Sequence, residues 1–566
     1  MSRMHRAGRI ALGGLLVVLL LATLPPAAAG REPASGKQWV FFTDKGIARG
    51  GEQAAIDDFA AKLAPRALWR RAKVGKAVDL NDLPVSREYV DAVAGNGAEI
   101  VARSRWLNAV SVRAGEAALR RIADLPFVRE VRPVARATKR VLEAAPPIGG
   151  GRTGGPRTLN YGESQGQLEQ VQIPDLHDAG FDGSGVVIAM LDTGFDTDHQ
   201  AYRHLDVIGE RDFINDDAET ANEPGDPDGQ DSHGTATLSC VGSAYPGEIY
   251  GGSYNASFIL CKTEIVDDEI EIEEDYWVEA TEYADSLGSD LISSSLGYFY
   301  WYTYEDMDGN TAVTTVGADM AAARGIVVTT SMGNEGGSDW RYMIAPADGD
   351  SVIGVGAVDI DGDRVYFSSV GPTYDDRIKP DIMALGLSAY VATTADTNSY
   401  SNSSGTSFSC PITAGALGLL IQGHPDWTPQ DVMDAIHSTG TKSTSPDTLM
   451  GWGILQAYDA MYSEPLGILA GEGGTGLSAV RAYPNPSSRG ARIEYAVPGP
   501  SGVRIDIYDV AGRLVRTVLE EERGAGTYTA IWDGEDAAGR PVANGIYFVM
   551  LDVGGGTSAA KVAVIR

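Results

Sequence analysis

The stretch Val186-Val187-Ile188-Ala189-Met190-Leu191-Asp192-Thr193-Gly194 decides the reading of this chain. Six consecutive apolar residues, too few for a helix turn pattern and rich in β-branched types, read as a strand buried on both faces. An acid then stands at the strand's carboxyl end, followed at once by a glycine turn. In open parallel sheets ligands gather beyond the carboxyl ends of strands, so Asp192 sits where chemistry is expected. Taken alone, it could equally be an acid that only fixes a turn.

Working outward, similar runs recur at Ala256 to Cys261, Asp290-Leu291-Ile292-Ser293 and Gly325-Ile326-Val327-Val328. Helix-like stretches lie between and after them, at Tyr276 to Leu287, Ala318 to Arg324 and Ile412 to Gln422. Buried strands alternating with helices imply an α/β domain, a parallel sheet with helices on both faces, over about 160 to 465. After Gly471-Glu472-Gly473-Gly474-Thr475-Gly476 the pattern changes. Residues 482–566 show strand-like runs such as Val503 to Tyr508 and Gly545 to Leu551 between Pro and Gly turns, which predicts an all-β sandwich of about seven strands.

The N-terminal side differs again. Arg3, Arg6 and Arg9, the apolar run Ile10 to Leu24 and the A-x-A ending at Ala29 read as a signal peptide, 1–29. Fifteen apolar residues are short for a bilayer span, and no later segment is long enough to be one. Residues 31–150 hold 21 Lys+Arg against 14 Asp+Glu. Removing this +7, and the +3 of residues 1–30, from the total of −32 leaves −42 on residues 151–566. The acidic bulk argues against nucleic-acid or anionic-membrane partners. The contrast between neighbouring segments suggests that they are complementary. Strand-like runs (Gln38 to Thr43, Glu99 to Val101, Val128 to Val134) and helical ones (Glu52 to Arg71, Glu116 to Ile122) predict a small α+β domain. It ends in Ala144-Ala145-Pro146-Pro147-Ile148-Gly149-Gly150-Gly151, an exposed, cleavable linker.

Elimination narrows the chemistry. None of the seven histidines lies in a His-Glu-x-x-His pair, no P-loop occurs, and Ser409 stands where a G-x-S-x-G elbow around Ser407 would need glycine. Three segments remain: Asp192-Thr193-Gly194, Asp231-Ser232-His233-Gly234-Thr235, and Ser403-Ser404-Gly405-Thr406-Ser407-Phe408-Ser409-Cys410-Pro411. Each has a bland reading, as a turn acid, a structural histidine and a helix N-cap. Their order, Asp before His before Ser, is that of one of the convergent Ser-His-Asp triads.

With these residues the chain resembles the subtilisin-like serine proteases. It matches the D-T-G, H-G-T and G-T-S-x-x-x-P segments, and Ser331-Met332-Gly333-Asn334-Glu335-Gly336 supplies the family's oxyanion-hole asparagine as Asn334. Ser295-Leu296-Gly297 is similar to the strand lining the substrate cleft. The resemblance implies a secreted endopeptidase made as a zymogen, with Ser407 as nucleophile, His233 as general base and Asp192 orienting the imidazole. The competing class is a catalytically idle surface adhesin that kept the fold.

Two departures stand out. Ala236 replaces a second histidine, and Met332 stands where a small residue is usual and is expected to narrow the cleft near the substrate's first side chain. Residues 30–150 occupy the place of the family's inhibitory prodomain, with 151–466 as catalytic domain and 467–481 as linker. Residues 482–566 resemble FlgD-type Ig-like modules and the sorting domains of type IX secretion, which implies export machinery as a partner and a secreted or cell-surface location on a bacterium. The partners implied are protein substrates and the chain's own prodomain. No cofactor and no catalytic metal are required, though the acidic segment Asp212 to Asp231 could ligate a structural Ca²⁺ without EF-hand spacing. The run Asp267 to Asp275 reads as a solvated acidic loop, and by its place in the family's order it could alternatively favour basic side chains upstream of the cut. Cys410 is expected to be buried and inert, and Cys240 and Cys261 could pair.

Overall fold

The computed structural model describes residues 37–133, 158–266, 270–463 and, apart from short breaks, 480–564. The signal peptide, the prodomain junction up to residue 157 and nearly all of the 467–481 linker lie outside the described residues.

Seven parallel strands form the central sheet. From edge to edge they run Ile382–Leu385, Val352–Val358, Val327–Ser331, Leu291–Ser294, Val187–Asp192, Ser257–Lys262 and Asp206–Asp212. The period of two along Val187–Asp192 explains its unbroken apolarity. Ile188 and Met190 face one core with Leu238, Leu417 and Leu420, whereas Val187, Ala189 and Leu191 face the other with Trp277, Val278 and Ala318. The helices Ser232–Gly242 and Thr406–Gly423 cover the first face. Ile272–Leu287 and Val313–Ala322 cover the second.

This sheet separates Cys240, in the first core, from Cys261, in the second. All three cysteines are free and buried, so the Cys240–Cys261 pairing does not occur. Burial pushes the Cys410 thiol up to about 12, which suits an inert group.

The N-terminal domain is an antiparallel sheet in the order Glu99–Ser104, Ala109–Arg113, Lys37–Phe42, Val128–Pro133, backed by helices. The single helix expected over 52–71 is two, Glu52–Ala60 and Pro65–Lys73, because Pro65 has no N–H to continue the first and instead starts the second. The C-terminal domain has seven strands in sheets of three and four. Ile493, Tyr495 and Trp532 of one sheet pack with Ile505, Val549 and Leu551 of the other. Among the described residues, no helix is long and apolar enough to cross a membrane.

The N-terminal domain sits on the helix Ile272–Leu287. Asp285, fully buried, takes ion pairs from Arg70, Arg71 (2.6 Å) and Arg105 (3.1 Å). Arg66 pairs with Asp290 at 2.5 Å and Lys37 with Asp275 at 2.5 Å. Glu282 accepts from Ser104 Oγ (2.6 Å) and Trp106 N (3.1 Å). In the other direction, catalytic-domain Arg324 donates to Asp82 at 2.8 Å and stacks over Trp106 at 4.3 Å. The charge contrast between the two segments is therefore spent in specific buried pairs.

That contact corrects the reading of residues 267–275. Asp267, Asp268 and Glu269 lie outside the described residues, and from Ile272 onward the run is helix, with buried carboxylates. Glu273 accepts from the amides of Ile265 and Ile270, Glu274 from Trp301 and Tyr302, and Asp275 holds Lys37. Glu273 and Glu274 are thus committed to the catalytic domain's own fold, and Asp275 to the N-terminal domain.

Candidate active site

Asp192 ends its strand 1% exposed, and three donors converge on its carboxylate. Its own neighbour's amide, Thr193 N, reaches Oδ1 at 2.8 Å; His233 Nδ1 lies 2.6 Å from Oδ1; and Thr237 Oγ1 donates to Oδ2 at 2.9 Å. Thr237 is one helical turn after His233, so both side chains share the face that meets the strand end. That spacing was the available signal for Thr237, which sequence reasoning missed.

The glycines of the two motifs have steric causes. Gly194 has φ +140°, and a Cβ there would lie 2.6 Å from Thr220 O. A Cβ on Gly234 would lie 2.1 Å from Gly194 O. Only the absence of both side chains lets the histidine helix approach the Asp192 strand closely enough for the Asp192–His233 bond.

Ser407 opens the helix Thr406–Gly423, where the first amides have no intrahelical acceptor. The Ser407 carbonyl would normally receive the N–H four residues on, but that residue is Pro411. Ser295 Oγ supplies the missing donor at 2.8 Å, and Ser407 Oγ lies 3.4 Å from Ser295 O. The His233 ring lies 6.1 Å from Phe408, next to Ser407. Asn334 Oδ1 accepts from Thr406 N (2.9 Å) and Thr406 Oγ1 (3.1 Å), and a Cβ on Gly405 would lie 3.5 Å from Asn334 Nδ2 and 3.6 Å from Ser407 N, so both amides flank one point.

The cleft residues are used unequally. Ser295 is buried and braces Ser407, Leu296 is buried in the second core, and Gly297 alone is half-exposed. Met332 does not narrow the cleft. It is fully buried in a satellite core with Met307, Met343 and Ala347.

Within Asp212 to Asp231 the carboxylates of Asp212, Asp217 and Glu223 come within 4.8 Å of one another. Buried Lys262, however, already reaches Asp212 at 2.8 Å and Asp226 at 2.7 Å. Asp212 also accepts from the amides of Ile214 and Asn215 and from Asn215 Nδ2. Both its oxygens are thus engaged, a poor donor set for Ca²⁺, which takes six to eight free oxygens.

A carboxylate–imidazole pair at a strand end, beside a serine at a helix N-terminus, is the arrangement of a serine hydrolase built on a parallel α/β sheet. Family comparisons agree with that class. Residues 183–453 match the Subtilase family model, 37–145 the Peptidase S8 propeptide domain of Bacteroidota, and 487–554 the FlgD Ig-like domain. Subtilisin of Bacillus pumilus is 32% identical over 275 residues, covering 48% of this chain and 90% of that protein. Subtilisin E of Bacillus subtilis (strain 168) is 29% identical over 357 residues, covering 63% and 81%. Subtilisin Savinase of Lederbergia lenta is 27% identical over 312 residues, covering 52% and 97%. The chain belongs to the subtilase family: it is a subtilisin-like serine endopeptidase made as a zymogen, and the adhesin alternative is not favoured.

Proposed function

We propose that Asp192, His233 and Ser407 are the catalytic triad of this endopeptidase and that Asn334 completes its oxyanion hole. The observation that carries this reading is the 2.6 Å Asp192–His233 bond, with the His233 ring 6.1 Å from Phe408, the neighbour of Ser407 in the first turn of its helix. With Nδ1–H held by Asp192, His233 offers Nε2 to take the Ser407 proton. Ser407 Oγ attacks the substrate carbonyl, and the oxygen that gains charge is met by Ser407 N–H and Asn334 Nδ2. His233 then protonates the leaving amine, the C–N bond breaks, and water repeats the sequence on the acyl-enzyme. Thr406 holds the Asn334 amide in the orientation this needs, and Ser295 keeps the first turn of the serine helix in place.

No metal is needed for these steps. In this reading Lys262, rather than Ca²⁺, balances Asp212 and Asp226 within the Asp212 to Asp231 segment. The basic and apolar features of residues 1–29 support export, and residues 482–566 act as the module that export machinery recognises, leaving the enzyme secreted or at the surface of a bacterium. The domain limits 30–150 and 151–466 are proposed on the same footing. Replacing Ser407 tests the chemistry: Ser407→Ala is expected to abolish hydrolysis of a denatured protein and to accumulate unprocessed precursor. Hydrolysis at the wild-type rate by the purified variant would refute the assignment.

A further inference from the structure

The side chain that precedes the scissile bond has to fit beside the oxyanion site, and the structure shows what occupies that place. One wall is Gly297, two residues beyond Ser295, whose carbonyl lies 3.4 Å from Ser407 Oγ. The opposite wall is Gly333, adjacent to Asn334. Ile344 fills the space between them. A Cβ placed on Gly297 would be 2.5 Å from Ile344 Cδ1 and Cγ1, and one on Gly333 would be 3.0 Å from the same two atoms. The isoleucine therefore touches both glycine backbones, and it is 9% exposed.

The residue cannot easily swing away, because its backbone is tied to both walls. Ile344 N donates to Met332 O at 3.2 Å, next to Gly333. Its neighbour Ala345 exchanges two hydrogen bonds with Tyr298, next to Gly297, at 3.0 and 2.8 Å. A substrate whose carbonyl oxygen lies between Ser407 N and Asn334 Nδ2 has its Cα one bond from the carbonyl carbon. Gly297 and Gly333 are the residues without side chains nearest that Cα, and the side chain that both of their Cβ positions would meet is that of Ile344.

Resting on the triad assignment above, we infer that Ile344 closes the pocket for the residue before the cut. The enzyme then accepts glycine, alanine or serine there and rejects long or aromatic side chains. Narrowing was expected from Met332; the structure assigns it to Ile344. The prodomain junction is consistent in composition, since Ala144, Ala145, Gly149, Gly150, Gly151, Gly154 and Gly155 offer small residues where self-processing would cut.

The test uses mature enzyme and p-nitroanilide peptides that differ only in the residue before the anilide, Ala, Leu, Phe or Lys. Active enzyme is counted by fluorophosphonate labelling. Wild type is expected to favour Ala over Phe by about a hundredfold or more in kcat/KM, since a misfit of one methylene already costs about 10- to 200-fold. Ile344→Gly, and more mildly Ile344→Ala, should raise Phe cleavage at least about tenfold while Ala changes by less than about threefold. A mass-spectrometric map of wild-type cuts in a denatured protein needs no variant and should show cleavage after Gly, Ala and Ser. Labelled wild type that cleaves Phe as fast as Ala, or cuts mapped mainly after large residues, would overturn the inference. So would labelled variants with an unchanged Phe-to-Ala ratio. Wild type that does not label would overturn the Ser407 assignment, and this inference with it.

Discussion

Asp285 gathers three guanidinium groups of the propeptide domain onto one fully buried carboxylate, so Asp285→Asn should loosen that domain's hold on the enzyme sharply. Each arginine keeps something in the variant. Arg71 retains Asp82 at 2.9 Å, Arg105 retains the Glu282 carbonyl at 2.7 Å, and Arg70 retains the carbonyls of Ser289 and Arg324. The loss is therefore that of one buried anion, for which about 3–5 kcal/mol is typical. Asparagine keeps the shape and one acceptor oxygen, which selects the lower end. At about 1.4 kcal/mol per tenfold, roughly 3 kcal/mol is a hundredfold weaker inhibition constant. The assay titrates one preparation of prodomain against mature wild-type and Asp285→Asn enzymes, so prodomain folding is common to both. The control substitution is Asp58→Asn in the prodomain. Asp58 and Lys62 form an exposed pair, 68% and 69% accessible, and such pairs contribute at most about 1 kcal/mol. Inhibition constants within about twofold for wild-type and Asp285→Asn enzymes of equal melting temperature would refute the claim that buried pairing holds the propeptide domain in place, since even one such pair is expected to be worth far more.

Three further outcomes are expected. Asn334→Ala should lower kcat by about 10²–10³ with little change in KM, as loss of an oxyanion donor does, and an unchanged kcat would remove Asn334 from the site. Partial burial beneath the prodomain strand pushes the Glu279 carboxyl up to about 7, against the bond it accepts from Arg103 N at 2.7 Å, which lowers it; Glu282 and Asp275 add to the rise and Arg211 opposes it. The complex thus favours the protonated form, so prodomain affinity should fall as pH rises from about 4.5, the ordinary carboxyl range, to about 7 and level off above it. Glu279→Gln should flatten that slope, and affinity that increases over the range would contradict the assignment. Finally, excess chelator should leave the melting temperature unchanged, whereas Lys262→Met strands Asp212 and Asp226 and should cost about 3–5 kcal/mol. Calorimetry that finds chelator sensitivity in wild type would reinstate the metal.

What could be read in advance was local. Strands buried on both faces carry unbroken apolar runs, so Val186 to Leu191 and its counterparts were visible as a parallel sheet. Motif glycines were visible because backbone approach leaves no alternative residue, as the 2.1 Å clash at Gly234 shows. The break at Pro65 is equally local, since proline has no N–H to continue a helix. Other features depend on direction in space rather than on spacing. Met332 and Ile344 are both apolar residues near the cleft, and only the fold shows that the first turns into a satellite core while the second faces the glycines. Cys240 and Cys261 lie on opposite faces of a sheet whose topology a cysteine count does not contain. The pairing of Arg70 with Asp285, 215 residues apart, was visible only as a difference in net charge.

The central claim is that Ser407 is a nucleophile activated by the His233–Asp192 pair. It is tested most directly by treating prodomain-free enzyme with a fluorophosphonate and locating the adduct by peptide mass spectrometry. One adduct is expected, on Ser407, and it should be lost in His233→Ala. An adduct on another serine, or equal labelling without His233, would contradict it.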